Sequence, residues 1–351
     1  MFQNLLKTVR VNISTVISII KTNTRLREIS FSSSDITKQE LYEDTELILG
    51  TLMQDIPKLQ EWLIYDHCAV VMRLYAIYER FVEEIIADWL TLLPVLFPQY
   101  SELEERIRNT HQIGVGRLLI EIKKNRYKHL NIENVIRGFF YGYTNEAEYY
   151  LLPDAFLFHE QNLRRETLDK LMADAGLPNA WIWIENHRAV KYFIEEIRGS
   201  QNTAESELND LIIYRNDAAH GSPDNFLRAH ALLELCIFVE ALCQALAELV
   251  TYQVLERKKV LGQTQEVGRI TEWLKKREAG IAKFEEITML SVGRSLFLVS
   301  EGTSCCVLAT ITSIQNNGIP VNEIQTTKGM EVGLKFDVDA KKGLRLYQLQ
   351  D

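Results

Sequence analysis

The stretch Leu211-Ile212-Ile213-Tyr214-Arg215-Asn216-Asp217-Ala218-Ala219-His220-Gly221 decides how this 351-residue chain is read. It has no proline, and glycine comes only at its end. Its apolar start and small Ala218-Ala219 predict a helix from about Ser206 to Ala219. Gly221-Ser222-Pro223 then turns the chain, and a long helix is expected from Asp224 to about Lys259. Ser222 suits an N-cap, and Pro223 suits the first helical position, where a missing N–H costs nothing. On the long helix Leu232, Cys236, Val239, Cys243, Leu246 and Val250 fall on one stripe, so the two cysteines read as small core hydrophobes. Two helices joined by a sharp turn make this part of the chain helical.

Towards the N-terminus the helical signal continues. Thr37-Lys38-Gln39-Glu40 fits a capping box ahead of Leu41, Leu47, Ile48 and Leu52. A helix after Pro57 carries Val70, Leu74, Ile77, Phe81, Ile85 and Trp89 at spacings of three or four, with Glu79, Arg80, Glu83, Glu84 and Asp88 largely on its other side. Pro94 and Pro98 are expected to end it. The run Val11 to Ile20, broken by Asn12, Ser14, Thr15 and Ser18, reads as an amphipathic helix and not a signal peptide. Residues 101 to 198 mix helical pieces with the aromatic Phe139-Phe140-Tyr141-Gly142-Tyr143 and a loop at Gly176-Leu177-Pro178.

Towards the C-terminus the character changes. Gly50 is the only glycine in residues 1–113, whereas glycines at 293, 302, 318, 329, 333 and 343 punctuate the tail among β-branched residues. Alternation in Ser295 to Val299 and Val307 to Ile314, an Asn316-Asn317-Gly318 turn, and the segments Met330 to Val338 and Leu344 to Leu349 predict a small β-barrel. Lys275-Lys276-Arg277 before Gly280 reads as the end of a linking helix. The expected fold class is mainly α, a helical bundle followed by a small barrel. Its parts are an N-terminal helix and linker (1–35), a helical domain (36–260), a linking helix (261–284) and the barrel (285–351).

Composition narrows the function classes. With 46% apolar and 25% charged residues the chain can bury a core and is not a disordered one. The 48 acidic against 39 basic residues give a net charge of -9, which opposes a globally basic nucleic-acid binder and leaves room for a local basic groove. The most apolar stretch, Leu232 to Val250, is interrupted by Glu234, Glu240, Gln244 and Glu248, so no membrane span is expected. Five cysteines without a CxxC pair fit reducing cytosol, hence a cytoplasmic protein, and no zinc site. Neither a Gly-rich phosphate loop, nor HExxH, nor GxSxG, nor a paired Cys/His set occurs, so no metal and no cofactor is expected.

The chemistry then falls to histidine, and of the seven only His220 has a suggestive neighbourhood. The string Arg215-Asn216-Asp217-Ala218-Ala219-His220-Gly221 resembles the signature of the HEPN superfamily, the higher-eukaryote and prokaryote nucleotide-binding domains. Its form is close to the branch found beside RNA-ligase and phosphoesterase genes. The resemblance implies a HEPN-like helical bundle, an RNA substrate, a face-to-face homodimer, and metal-independent cleavage by 2′-hydroxyl attack that leaves a 2′,3′-cyclic phosphate. It assigns His220 as general base or acid, Arg215 as the neutraliser of phosphoryl charge, and Asn216 as a holder of the phosphate or the imidazole. It further implies a toxin-like or phage-defence effector restrained or activated by a partner protein in trans. A second Arg-to-His match, Arg106 to His111, lacks the apolar lead and closing glycine and is read as a decoy.

Other readings stay open at this stage. Arg215 can pair with Asp217 or Glu79 while His220 simply ends a helix, which would make the chain a non-catalytic RNA- or protein-binding dimer of HEPN type. Residues five apart on one helix differ by about 140° and ~7.5 Å of rise. Either the helix therefore loosens at Asp217 to Ala219, or two chains build the site. Lys123, Lys124, Arg126, Tyr127 and Lys128 are candidate substrate contacts, with Tyr127 placed to stack on a base. Arg164-Arg165, Arg257-Lys258-Lys259 and Lys275-Lys276-Arg277 are further basic clusters, and each of the four, taken alone, reads first as a solvated helix face or helix C-terminus. The tail from Ala309 to Tyr347 also resembles the second-domain β-barrel of translation elongation factors, which carries no catalytic motif.

Overall fold

The computed structural model describes residues 2–31, 55–145, 148–158, 161–199, 201–221, 223 and 225–350. The expected helix at residues 37–52 and the expected N-cap Ser222 lie outside them. The helical part is built around one long helix, α9 (Ala229–Val260), whose alanines, leucines and cysteines leave it apolar on nearly every side. A helix of that kind must be covered all round. The N-terminal helix α1 (Gln3–Phe31), α2 (Leu59–Leu96), the short pair α6 (Ala180–Asn186) and α7 (Arg188–Tyr192), and the barrel all pack on it.

α1 places Leu6, Val9, Ile13, Val16 and Ile20 in the same core as α2 and α9, so the N-terminal helix is part of the bundle rather than a separate arm. Arg27 near its end forms a buried ion pair with Asp66 on α2, to which Asn23 also donates at 2.7 Å. α2 runs on through Pro94 to Leu96, beyond its expected end; the proline forfeits one ladder bond, but Phe97 N donates to Leu93 O and closes the last turn. Next come α3 (Glu105–Glu121) and α4 (Ile132–Thr144), then α5 (Arg165–Asp174). Gly114 lets α3 press on the turn at 153–155, since a Cβ there would meet the Ala155 carbonyl oxygen at 1.9 Å.

α8 (Ala204–His220) starts on a Thr203 cap in which Ser206 and Thr203 exchange hydrogen bonds, and it lies along α2. Gly221 leaves it at φ +133°, a conformation that favours glycine. α9 begins at Ala229 and not at Asp224. Leu227 N donates instead to His67 Nδ1 on α2, which holds Leu227 out of the helix.

Residues 264–284 form two strands where a linking helix was expected. β1 (Thr264–Leu274) and β2 (Ala279–Phe284) are joined by the turn at Lys275-Lys276-Arg277. They complete the barrel with β4 (Ser295–Ser300), β5 (Cys305–Asn316), β8 (Glu331–Phe336) and β9 (Arg345–Leu349) in the order β4-β9-β1-β2-β8-β5, and pairing of β4 with β5 closes it. β6 (Ile319–Val321) adds to the end of β5 through the Asn317-Gly318 turn, and β3 (Met289–Ser291) pairs with β7 (Glu323–Gln325).

Strand alternation explains how the barrel is attached. Leu296, Leu298, Cys305 and Leu346 face its interior, while Phe297, Val299, Cys306 and Tyr347 join the helical core. Cys305 and Cys306 thus serve two cores. A polar clamp fixes the joint: Cys306 N and Arg188 Nη2 both donate to the buried Glu248 on α9, at 3.0 and 2.8 Å. Burial pushes the Glu248 carboxyl up, but Arg188 and the neighbouring His187 outweigh it and hold the group below the usual carboxylate range.

Candidate functional site

α8 brings Arg215 against Tyr75 on α2, one of a pair of tyrosines that meet edge-on. Leu163, in the loop before α5, has both backbone polar groups taken up: its N–H donates to Tyr75 Oη at 3.0 Å, and its carbonyl accepts from Tyr78 Oη at 3.2 Å. Tyr75 in turn donates to Glu79 Oε1 at 3.1 Å, one turn along α2. Burial pushes the Tyr75 phenol up, with Glu79 adding to the rise and Arg215 opposing it, so its proton stays on the Tyr75–Glu79 bond.

This clamp seats Asn162, whose Nδ2 donates to Asn216 Oδ1 at 3.1 Å. Arg215 Nη1 donates to the same oxygen at 3.1 Å. The Arg215 guanidinium lies 5.1 Å from the centre of the Tyr75 ring, half-buried, and its Nε is buried without a hydrogen-bond partner among the described residues. Among those residues no carboxylate comes within ion-pair distance of Arg215, so neither Asp217 nor Glu79 neutralises it. A guanidinium held by an amide and a ring, with no ion pair among the described residues, can bind a phosphate oxygen.

His220 is exposed, the last residue of an unbroken α8. The helix does not loosen at Asp217 to Ala219. One chain therefore turns His220 about 140° away from Arg215. Asn216 is beside Arg215 and shares its network; His220 is outside that network.

The other sequence candidates divide. Lys123, Lys124, Arg126 and Lys128 are exposed between α3 and α4, with Lys124 paired to Glu121 at 3.1 Å. Tyr127 is only 1% exposed and packs 6.2 Å from Phe158, with Arg126 over its ring at 4.9 Å, which takes it out of reach of a base. Arg164 donates to Asn209, Arg165 pairs with Glu205, and Arg257 donates to Leu96 O, so these cations serve the fold.

Tyr75, Asn162 and His67 were not among the sequence candidates. The spacing of Tyr75 and Glu79, one turn apart, was a faint signal; Asn162 gave none. His67 packs edge-on against Tyr214 at 5.5 Å beneath the site, and burial lowers its imidazole below the ordinary value, with Asp217 opposing.

The decoy is a core group. His111 is fully buried, hydrogen-bonded to Tyr100 Oη at 3.1 Å and stacked on Phe156, while Arg106 pairs with Asp174. Burial pulls the His111 imidazole from 6.5 down to about 4. Between those values the unfolded chain binds a proton that the folded chain refuses. Stability is thus complete above pH 6.5 and is lost as pH falls through this window, by about 3 kcal/mol. Urea midpoints from pH 7 to 4 check this, and His111→Phe removes that share of the slope.

Among the described residues no helix is long and apolar enough to cross a membrane. A sequence model of the family described as RiboL-PSP-HEPN matches residues 21–252, from the middle of α1 to near the end of α9. The chain matches no curated protein and no solved structure.

Proposed function

The chain belongs to the RiboL-PSP-HEPN family, and from that premise we propose that it is a metal-independent endoribonuclease. The observation that carries this reading is the Arg215–Asn216 unit, held open on Tyr75, in the same helix as the exposed His220. In the reaction the 2′-hydroxyl oxygen bonds to the adjacent phosphorus as the bond from phosphorus to the 5′-oxygen breaks. One proton leaves the 2′-oxygen for a base, and another reaches the 5′-oxygen from an acid. The products are a 2′,3′-cyclic phosphate and a 5′-hydroxyl. The nucleophile already belongs to the substrate, so no metal-activated water is needed.

His220 is the proton carrier, and Arg215 stabilises charge growing on the non-bridging oxygens. Asn216, whose Oδ1 is occupied by two donors, sets the direction of the Arg215 fork. Because α8 is continuous, each working site combines Arg215 of one chain with His220 of a second in a twofold dimer, with His220 as base or acid for one proton transfer and water for the other. Such an enzyme fits a cytoplasmic toxin-like or phage-defence effector governed by a partner protein.

A second reading is a non-catalytic binding dimer, favoured by the seat of Arg215 on Tyr75, which has a structural value of its own. Incubation with labelled tRNA and unstructured RNA in excess chelator separates the two. Cleavage with 2′,3′-cyclic phosphate ends is expected; binding without cleavage favours the second reading.

A further inference from the structure

A cleft of about 650 Å³ opens between α3, α5 and the residues Ala155, Phe156, Phe158 and Gln161. Its size is that of a small-ligand site. It begins at Gln161, the neighbour of Asn162, whose side chain bonds to Asn216. Consecutive Cα atoms lie 3.8 Å apart, so one wall of the cleft and the Asn162–Asn216 bond sit on adjacent residues.

The walls come from close packing. Gly114 brings α3 onto the Ala155 carbonyl, and the Phe156 ring is fixed from behind by His111 at 5.9 Å, stacked within 13° of parallel. Arg117 then lies over Phe158 at 4.4 Å. One face of this guanidinium is spent on the ring; the side chain is exposed and has no hydrogen bond or ion pair among the described residues. Lys170 stands exposed on the α5 wall with no ion pair among the described residues. Of the two acids in the lining, Asp174 is neutralised by Arg106 at 2.8 Å, and Glu166 stands at the rim as an acceptor.

Resting on the ribonuclease reading above, we propose that this cleft binds a nucleotide of single-stranded RNA next to the scissile bond, its base on Arg117 and its phosphate on Lys170. A flat cation backed by an aromatic ring is a platform for any base. A lysine lining the same cleft supplies a phosphate contact, and Glu166 can accept from a base amino group. Tyr127 packs against Phe158, so the segment Lys123 to Lys128 adjoins one wall of the cleft. Residues lining this cleft touch neither Arg215 nor His220, so they govern capture and not the chemical step.

The test uses full-length His220→Ala protein and a fluorescent unstructured RNA containing 4-thiouridine. Crosslinking is expected in the peptides carrying Phe158 and Arg117. Arg117→Glu and Lys170→Glu, each checked for an unchanged circular dichroism spectrum, should weaken RNA binding about 10- to 100-fold. Lys170→Gln, which removes no ion pair among the described residues, should also lower the slope of log affinity against log salt by about 0.7. In the active protein the same changes raise KM and leave kcat alone. Equal binding by parent and charge-reversed proteins, with cleavage intact, overturns the cleft and leaves the ribonuclease reading standing. Absence of both cleavage and RNA binding in the parent overturns the two together.

Discussion

Cleavage falls at least 1,000-fold in His220→Ala while the protein stays folded. Proton transfer by a positioned side chain contributes roughly 10²- to 10⁴-fold. The proposed reaction needs one proton removed and one delivered, and in a twofold dimer each histidine substitution strips both sites. Its effect on folding should be small, within about 0.5 kcal/mol, because His220 is exposed at the end of α8 and outside the hydrogen-bonded network. Single-turnover rates on unstructured RNA, with thermal denaturation of the same samples, check both halves. A variant that melts like the parent and still cuts at the parental rate sinks the assignment of His220. A variant that binds RNA with parental affinity but does not cut it puts His220 at the chemical step.

The sequence offers Arg215, Asn216 and His220 as candidates because all three lie within six residues and share one helix with its closing glycine. What it could not reveal was their setting. Tyr75 meets Leu163 across 88 positions, and Asn162 meets Asn216 across 54. No local periodicity encodes such pairs, which arise only when α2, α8 and the loop before α5 pack together.

The bundle itself was readable, since apolar spacing on α1, α2 and α9 reports burial directly. The barrel was readable in its second half, where alternation and an Asn-Gly turn follow the local rules. Its first two strands were not. Lys275, Lys276, Arg277, Ala279 and Ala282 are ordinary helix residues, and register shifts between Ile270 and Glu272 and between Glu266 and Gly268 break the period of two. β1 is a strand because β2 and β9, the latter from the end of the chain, flank it on both sides. Its distant partners override local preference. Tyr127 failed for a related reason: aromatic among cations looks like a base platform, yet its own fold uses the ring to cover Phe158.

Arg215→Ala is expected to slow cleavage by about 10²- to 10³-fold, the usual loss when one donor to a developing oxyanion is removed. Arg215→Lys should recover little of it. A lysine keeps the charge but not the planar fork that bonds Asn216 Oδ1 while resting on Tyr75. Loss of that ring contact costs about 1 kcal/mol in stability, which thermal denaturation can subtract from the kinetic effect. The two inactive variants together test the composite site. If each site takes Arg215 from one chain and His220 from the other, a heterodimer of Arg215→Ala and His220→Ala has one complete site and one empty of both groups. Random exchange makes half the dimers mixed, so equal amounts should restore about a quarter of parental activity. No recovery, after exchange is verified by native mass spectrometry, means that catalysis requires either both histidines of the dimer or Arg215 and His220 of one chain. A cyclic-phosphate product assay on the mixture, compared with each variant alone, decides between shared and separate sites.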